Sequence, residues 1–128
     1  MAGPFIFVGF HRIREGKLEA FRADAVALAG MVEEREPQFL AFNIFLSDDG
    51  TEATVVQIHP DADSMLTHMQ VAQEHIEKGA EELLDTQEIR IFGPPNDAVL
   101  GMIGQLTQAG VPISVQPVHL AGFTRSIV

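Results

Sequence analysis

The chain has 128 residues, which fits a single domain. Its 18 acidic and 8 basic side chains give a formal net charge of -10, and this charge repels nucleic-acid phosphates and anionic lipid head groups. The absence of cysteine excludes disulfides, thiolate metal ligands and cysteine catalysis. No apolar segment approaches the roughly 20 residues of a transmembrane helix. We therefore expect a cytoplasmic protein with neither nucleic acid nor membrane as a partner.

The first two predicted elements are a strand and a helix. Residues Phe5–Ile13 form a β-branched and aromatic run, which is typical of a strand. From Lys17 to Arg35 apolar residues recur every three or four positions, as on one face of a helix. Pro37 ends this helix, because the residue before a proline leaves the helical region. Exposure to solvent at the helix end explains its charge cluster, Glu33, Glu34, Arg35 and Glu36.

The next elements complete a sheet. Residues Phe39–Leu46 and Thr54–His59 predict two strands, and the Asp-Gly signal between them predicts a hairpin. An apolar stripe from Met65 to Ala80 predicts a second helix, which ends between Glu81 and Asp85. Residues Thr86–Phe92 predict a fourth strand. The order β-α-β-β-α-β indicates an α+β, ferredoxin-like sheet with both helices on one face.

The C-terminal part extends this unit. We expect residues 1–95 to form the ferredoxin-like domain, and residues 96–128 to add a helix over 96–109 and an extended arm over 113–123. Pro112 and Pro117 cannot donate to a strand ladder, so the arm is confined to a sheet edge or to an irregular extension. We place it on the edge of a partner's sheet, and packing on its own subunit is the alternative.

The strands are apolar on both faces, which predicts a homodimer. Two helices cover only one face of a sheet, and an exposed apolar face favours aggregation unless a second subunit covers it. The alternative is that the C-terminal segment folds back over the second face. The evidence is clearest in the second strand, where one face carries Leu40, Phe42, Ile44 and Leu46 and the other carries Phe39, Ala41, Asn43 and Phe45.

Several short features follow one another over residues 5–93. They are Glu36-Pro37 at the end of the first helix, Phe42 on the next strand, Asp48-Asp49 in the hairpin, His59 at the end of the third strand and His68 in the second helix. This running pattern resembles the antibiotic biosynthesis monooxygenase-like domains of the dimeric α+β barrel superfamily. The resemblance implies a dimeric barrel built from two such sheets. It implies no single chemistry, because the family includes cofactor-independent oxygenases of aromatic polyketides, haem-degrading enzymes and proteins with no known reaction.

The chain also departs from that family. It has Phe42 where the family often has Tyr, Gln57 where it often has Glu, and His59 where a Trp often follows; it contains no Trp or Tyr at all. Haem-degrading members of the family resemble one another in having an Asn on the first strand and a Trp and a His on the second helix. Of these three residues, this chain could supply only the His. We therefore expect no haem oxygenation and no cofactor.

His68 and Asn43 are the two polar residues that are candidates for catalysis. His68 and His75 lie seven apart and project from nearly the same side of the predicted helix. His68 could accept a proton from a phenolic substrate, since imidazole titrates near neutral pH; alternatively both histidines are boundary residues in contact with solvent. Asn43, the polar residue of an apolar strand, could bind a substrate oxygen or bond a neighbour at the dimer seam. The seven-residue spacing is unlike that of a helical metal-ligand pair, so no metal is expected.

Two functions follow from these residues. The first is binding of a small apolar or aromatic metabolite without catalysis. The second is a cofactor-independent monooxygenase or isomerase that acts on an aromatic or polyketide-like substrate, with His68 as the base and Asn43 beside it. An enclosed cavity lined by Phe, Leu and Met, with His68 and Asn43 converging on it, would support the enzyme, and a filled interior would support the non-catalytic domain. The residues expected to line that pocket are Phe42, Gln57, Met65, Met69 and His75.

Overall fold

The computed structural model describes residues 3–125. Within them the chain forms a single sheet and four helices. In chain order the elements are β1 (Phe5–Ile13), α1 (Leu18–Arg35), β2 (Ala41–Leu46), β3 (Glu52–His59), α2 (Ala62–Val71), α3 (Gln73–Ala80), β4 (Leu83–Phe92), α4 (Asp97–Gln108) and β5 (Ile113–Gln116).

The sheet has the strand order β2-β3-β1-β4-β5. The first four strands pair antiparallel, as a ferredoxin-like β-α-β-β-α-β unit requires, and β5 pairs parallel to β4 after the crossover helix α4. The α+β fold class and the element order predicted from sequence are confirmed. The predicted hairpin is also present: the Gly50 N–H donates to the Ser47 carbonyl at 3.0 Å, and Gly50 adopts the left-handed φ of +71° that the turn requires.

One predicted helix is in fact two. The stripe from Met65 to Ala80 was expected to form a single helix, but it breaks at Ala72, where φ is -95° and ψ is 5°. Ala72 is fully buried, and its N–H still donates to the His68 carbonyl as α2 ends. α3 then packs against α1. The apolar periodicity continues across the break, so the sequence pattern alone does not reveal it.

We call the sheet face that the helices cover the inner face. Its residues alternate along each strand, as the register shows for Phe5, Phe7, Gln57 and His59. α2 and α4 pack over one part of this face, and α1 packs over another. The first part buries Phe5, Phe7, Ala62, Met65, Ile89, Ile91 and Val99, and the second buries Ile13, Phe21 and Ala53.

The opposite face, here called the outer face, is mostly apolar and incompletely buried. By register its central strands carry Ile6 and Val8, and Phe45 on the edge strand β2 is 60% exposed. The helices are packed against the inner face, so within residues 3–125 this surface has no helical cover. Its apolar members are Ile6, Val8, Phe10, Ala41, Phe45, Val56, Ile58 and Phe92.

The C-terminal arm lies partly on its own subunit. The prediction that it occupies a sheet edge is confirmed, but the prediction that this edge belongs to a partner is wrong for Ile113–Gln116, which pair with β4 of the same chain. The loop after α4 is short enough to bring β5 beside β4 as a crossover connection. Beyond β5 the described chain has no regular structure, and Val118, Leu120 and Phe123 are 82%, 94% and 80% exposed.

Candidate functional site

The site begins at the end of α1. Because Pro37 follows, Glu36 leaves the helical conformation at φ -124° and ψ 68°, while its N–H still donates to the Val32 carbonyl. The Glu36 carbonyl accepts from the Phe39 N–H at 3.0 Å, so residues 36–39 form a turn with proline at its second position. This turn directs the Glu36 side chain inward, where it is 1% exposed.

Glu36 meets His68 from α2. The His68 Nδ1–H donates to Glu36 Oε2 at 2.9 Å, and His68 is also only 1% exposed. A carboxylate that accepts this bond fixes which ring nitrogen carries the proton and holds the ring in one orientation. The second carboxylate oxygen, Glu36 Oε1, is buried without a hydrogen-bond partner among the described residues.

A second buried histidine lies next to this pair. The His59 Nε2–H donates to Gln57 Oε1 at 3.0 Å, and His59 Nδ1 accepts from the Ser64 hydroxyl at 2.7 Å. Burial, followed by the nearby His68, lowers the pKa of His59 to about 3. His59 is therefore neutral at physiological pH, and both of its ring nitrogens are occupied by neutral partners. These bonds give it a structural role beside the Glu36–His68 pair.

Aromatic rings separate the two histidines from solvent. The Phe39 ring stacks on His59 with centroids 3.9 Å apart and meets His68 edge-on at 5.0 Å. Phe42 lies 5.6 Å from Phe39 and 5.7 Å from His68. Rings in these arrangements attract one another and hold the wall of the site rigid.

A cleft of about 520 Å³ opens between the end of α1 and the start of β2. That volume lies in the range of small-molecule sites. Glu36 is its buried polar group, and Glu33 and Asn43 are exposed at its margin. The lining exposes polar and apolar surface in equal measure and consists of Ala29, Gly30, Val32, Glu33, Glu36, Pro37, Phe39, Leu40, Ala41, Phe42 and Asn43.

The structure brings only some of the predicted residues to the cleft. Phe42 lines it, and Gln57 lies behind the aromatic wall, bonded to His59. Met65 is 3% exposed inside the apolar core, and Met69 packs against that core, so neither borders the cleft. Asn43 lies at the rim and pairs with Val56, which puts its side chain on the outer face while Phe42 and Gln57 share the inner face. The structure does not bring Asn43 together with His68.

His75 lies apart from His68. The helix break at Ala72 separates them, and His75 borders a different hollow of about 190 Å³ between α1 and α3, together with Asp24, Glu74 and Lys78. The expectation that the two histidines face one pocket is not supported by this geometry. The alternative that both contact solvent is wrong for His68, which is 1% exposed.

Glu36 is the functional candidate that the sequence reasoning missed. It was assigned to a solvated charge cluster, and that assignment holds for Glu33, Glu34 and Arg35, which are exposed, but not for Glu36. Its spacing carried the signal: Glu36 lies four residues after the buried Val32 and so continues the buried face of α1. A carboxylate at such a position needs a partner from elsewhere in the fold.

A second buried carboxyl lies near the start of α1. Burial, followed by a hydrogen bond with Asp24, raises the pKa of Glu82 to about 7, and the same bond lowers the pKa of Asp24. Lys78 and Lys17 oppose the shift of Glu82. This second carboxyl therefore has another carboxyl as its neighbour, whereas Glu36 pairs with an imidazole.

Within residues 3–125, no three histidine, aspartate or glutamate side chains are grouped so that they could hold a metal ion. In the same part of the chain, every helix is too short or too polar to cross a bilayer.

Solved structures with the same fold are numerous. MupZ from Pseudomonas fluorescens superposes with a TM-score of 0.75 at 18% identity, and the match covers 98% of each chain. Rv0793 from Mycobacterium tuberculosis gives 0.62 at 16% identity over 75% of this chain and 99% of that one. An antibiotic biosynthesis monooxygenase gives 0.61 at 12% identity over 68% and 94%.

These likenesses concern the fold. The chain has the fold of antibiotic biosynthesis monooxygenase-like proteins, as the sequence resemblance implied. The match to MupZ is long enough to include α4 and β5 as well. No protein-family model matches the sequence, and no curated protein matches it significantly.

Proposed function

We propose that this protein binds a small apolar or aromatic metabolite in the cleft between α1 and β2 and transfers a proton with the Glu36–His68 pair. The observation that carries the proposal is the pair itself: a carboxylate and an imidazole, each 1% exposed and 2.9 Å apart, beside a cleft that the carboxylate also lines. Titratable groups in such an environment are typical of acid–base sites.

The reaction class that fits is proton transfer on a carbonyl, enol or phenol. A buried carboxylate with an oriented imidazole can exchange one proton with a bound ligand, and the pair contains no nucleophile of the serine or cysteine type. Keto–enol isomerisation needs two such transfers, removal of the proton from carbon and its return to oxygen, or the reverse. A cofactor-independent oxygenation would begin with the same deprotonation, after which the substrate would supply electrons to oxygen. The isomerase reaction is preferred because it requires nothing beyond the groups at the cleft.

Ligand binding can be tested by filling the cleft. Gly30 lines it, and a Cβ added there meets nothing within 4 Å, so Gly30→Phe should fold and block the site. Gly101 on α4 is an equally open helical glycine away from the cleft and gives the matched control Gly101→Phe. The neutral fluorescent probe N-phenyl-1-naphthylamine should bind the wild type and Gly101→Phe, and Gly30→Phe should abolish the binding. Equal binding to all three proteins would place the ligand elsewhere.

Proton transfer can be tested with an enolisable ketone. In D2O, 2-tetralone should take up deuterium beside its carbonyl faster with the wild type than in buffer. Glu36→Gln should reduce this excess rate by a factor of about 100 or more, which is the usual contribution of a general base. Glu33→Gln, which makes the same change at the exposed margin of the same cleft, should leave the rate unchanged. If Glu36→Gln does not change the rate, the protein binds a ligand but does not transfer a proton through Glu36.

We also propose that the protein is a homodimer that buries the outer face. Its apolar residues on β1, β2 and β3 form one continuous surface across the central strands, and exposed surfaces of this kind mark association sites. Val118, Leu120 and Phe123 are further exposed apolar side chains in the same chain. Sedimentation should give twice the chain mass at micromolar concentration, and a monomer there would refute the proposal.

A further inference from the structure

The two carboxylate oxygens of Glu36 differ in their hydrogen bonding. Oε2 accepts from His68, whereas Oε1 has no hydrogen-bond partner among the described residues although it is inaccessible to solvent. A buried acceptor without a partner is destabilising, and native proteins keep few of them. Because Glu36 lines the cleft, a ligand in the cleft can supply the missing donor.

The imidazole is not the group that reaches the cleft. His68 is absent from the lining, and Phe39 and Phe42 lie against its ring. Its Nδ1–H is occupied by Glu36 Oε2. A carboxylate held this way keeps one oxygen on the imidazole and leaves the other buried without a partner, so a ligand must enter beside the Glu36 side chain to reach it. Glu36 therefore provides the atom that would contact a ligand, and His68 orients the Glu36 carboxylate.

The charge of the lining restricts the ligand. Its charged side chains are the two carboxylates Glu33 and Glu36, and no lysine, arginine or histidine lines the described cleft. A ligand carboxylate or phosphate placed against Glu36 would therefore meet like charge without a compensating cation.

The number of acceptors restricts it further. An ammonium carries three N–H donors, but the buried side chains around Glu36 offer one free acceptor, and its neighbours Val32, Phe39 and Phe42 have apolar side chains. Two of the three donors would find no side-chain partner there. A hydroxyl carries a single donor and matches the single free oxygen.

We propose that Glu36 Oε1 receives a hydrogen bond, and then the proton, from a neutral hydroxyl group of an apolar ligand, either a phenol or an enol, and that His68 is a positioning residue. This inference rests on the proposed function and specifies its substrate class. In the step, the ligand O–H bond breaks and an O–H bond to Oε1 forms. The electron pair stays on the ligand oxygen, and the reverse transfer can return the proton to oxygen or to the conjugated carbon.

Matched naphthalenes test the hydroxyl. 2-Naphthol should bind the wild type at least about tenfold more tightly than 2-methoxynaphthalene, which lacks the donor, because a hydrogen bond to a charged group has about that effect. 2-Naphthoate and 1-naphthylmethylammonium should bind more weakly than 2-naphthol. Glu36→Gln should reduce the preference for 2-naphthol to less than about threefold, and Glu34→Gln, the same change at an exposed position of α1 outside the cleft lining, should retain it. Dissociation constants from ligand-observed NMR give these ratios.

The outcomes separate this inference from the proposed function. If 2-naphthol and 2-methoxynaphthalene bind equally and neither binds Gly30→Phe, the cleft is the binding site but recognition of a ligand hydroxyl is refuted. Tighter binding of the ammonium or of the naphthoate would also overturn it. Binding that survives Gly30→Phe would refute the cleft itself, and with it the proposed function.

The role of His68 has its own readout. The absorption band of bound 2-naphtholate gives the pH at which the bound naphthol loses its proton, and this pH depends on the carboxylate that faces its hydroxyl. His68→Asn keeps a side-chain N–H near the Nδ1 position and should retain most of the wild-type pH profile, whereas His68→Leu removes the donor and should shift it. Should His68→Leu fail to fold, the comparison of His68→Asn with Glu36→Gln decides. A profile of His68→Asn identical to that of Glu36→Gln would contradict the positioning role.

Discussion

The two faces of the sheet bury their residues in different ways. On the inner face, Gln57, His59, Glu36 and His68 are almost completely buried and mostly hydrogen-bonded within one chain. On the outer face, apolar residues such as Phe45 remain partly exposed. The Glu36–His68 pair is therefore complete within one chain, whereas the proposed association uses the other side of the sheet. The cleft borders both faces, because Ala41 and Asn43 line it and lie on the outer face by register. Changes on one face, away from these two residues, should leave the property of the other face intact.

Removal of the C-terminal part should have the largest effect on the inner face. Truncation after Pro95 deletes Val99, which is fully buried in the core, and the partly buried residues of α4 and β5 that pack on it. We expect the cooperative thermal transition to be lost when it is followed by circular dichroism. The point variant Val99→Ala should cost about 2 kcal/mol of unfolding free energy. A truncated chain that melts like the full chain would show that this part is an appendage.

Ile44→Asp should have the next largest effect. Ile44 faces inward and packs against the cluster of Ile13, Phe21 and Ala53. A carboxylate placed there without a partner should cost on the order of 3 kcal/mol, a large part of the stability of a small domain. Urea unfolding should show a clearly lower midpoint. Wild-type stability and mass would contradict the assignment of the inner face.

Phe45→Asp introduces the same side chain one residue later, on the outer face. Phe45 is 60% exposed in the single chain, so the fold of the monomer should lose less than about 1 kcal/mol. The sedimenting mass should nevertheless fall to that of one chain, because a charge in an apolar interface opposes association. Val26→Asp on α1, where Val26 is 74% exposed, is the control and should leave the mass unchanged. A dimer that persists in Phe45→Asp would place the interface elsewhere.

The smallest predicted effect is a dependence of folding stability on pH, which arises from Glu82, a residue outside both the cleft and the outer face. The folded pKa of Glu82 is raised to about 7 from an ordinary value of 4.5, so between these values the folded state binds more protons than the unfolded state. Stability from this group is full below about 4.5 and is lost as the pH rises through about 7. Glu82→Gln, which keeps a donor to Asp24, should remove this component from melting temperatures measured between pH 4.5 and 8. An unchanged slope in the variant would contradict the assignment.

The opposite sign is expected from His59. Burial and His68 lower its folded pKa to about 3, so stability from this residue is present above the ordinary value of 6.5 and is lost as the pH falls toward 3. Glu82 and His59 therefore act in opposite directions between about pH 4.5 and 6.5. Glu82→Gln removes the Glu82 contribution, so the pH dependence that remains in the melting temperatures of this variant includes the contribution of His59.

Local patterns in the sequence were sufficient for the order of elements. The strand β1, the hairpin at Gly50, the end of α1 before Pro37 and the helix over 97–108 depend on neighbours in the chain, and these were predicted closely. The apolar outer face could also be inferred, because alternation along a strand is a property of two-residue periodicity. Such features are decided by steric preferences and side-chain polarity within a few residues.

Other features were decided by contacts between distant segments. Glu36 and His68 are 32 residues apart and meet only because α1 and α2 pack on the same sheet face. The break at Ala72, the pairing of β5 with its own β4, and the separation of Asn43 from His68 follow from how whole elements pack and register. A glutamate at a helix end carries the same local pattern whether water or a histidine is its partner. The tertiary structure distinguishes the two, because burial leaves the carboxylate only the partners that the fold or a ligand brings to it.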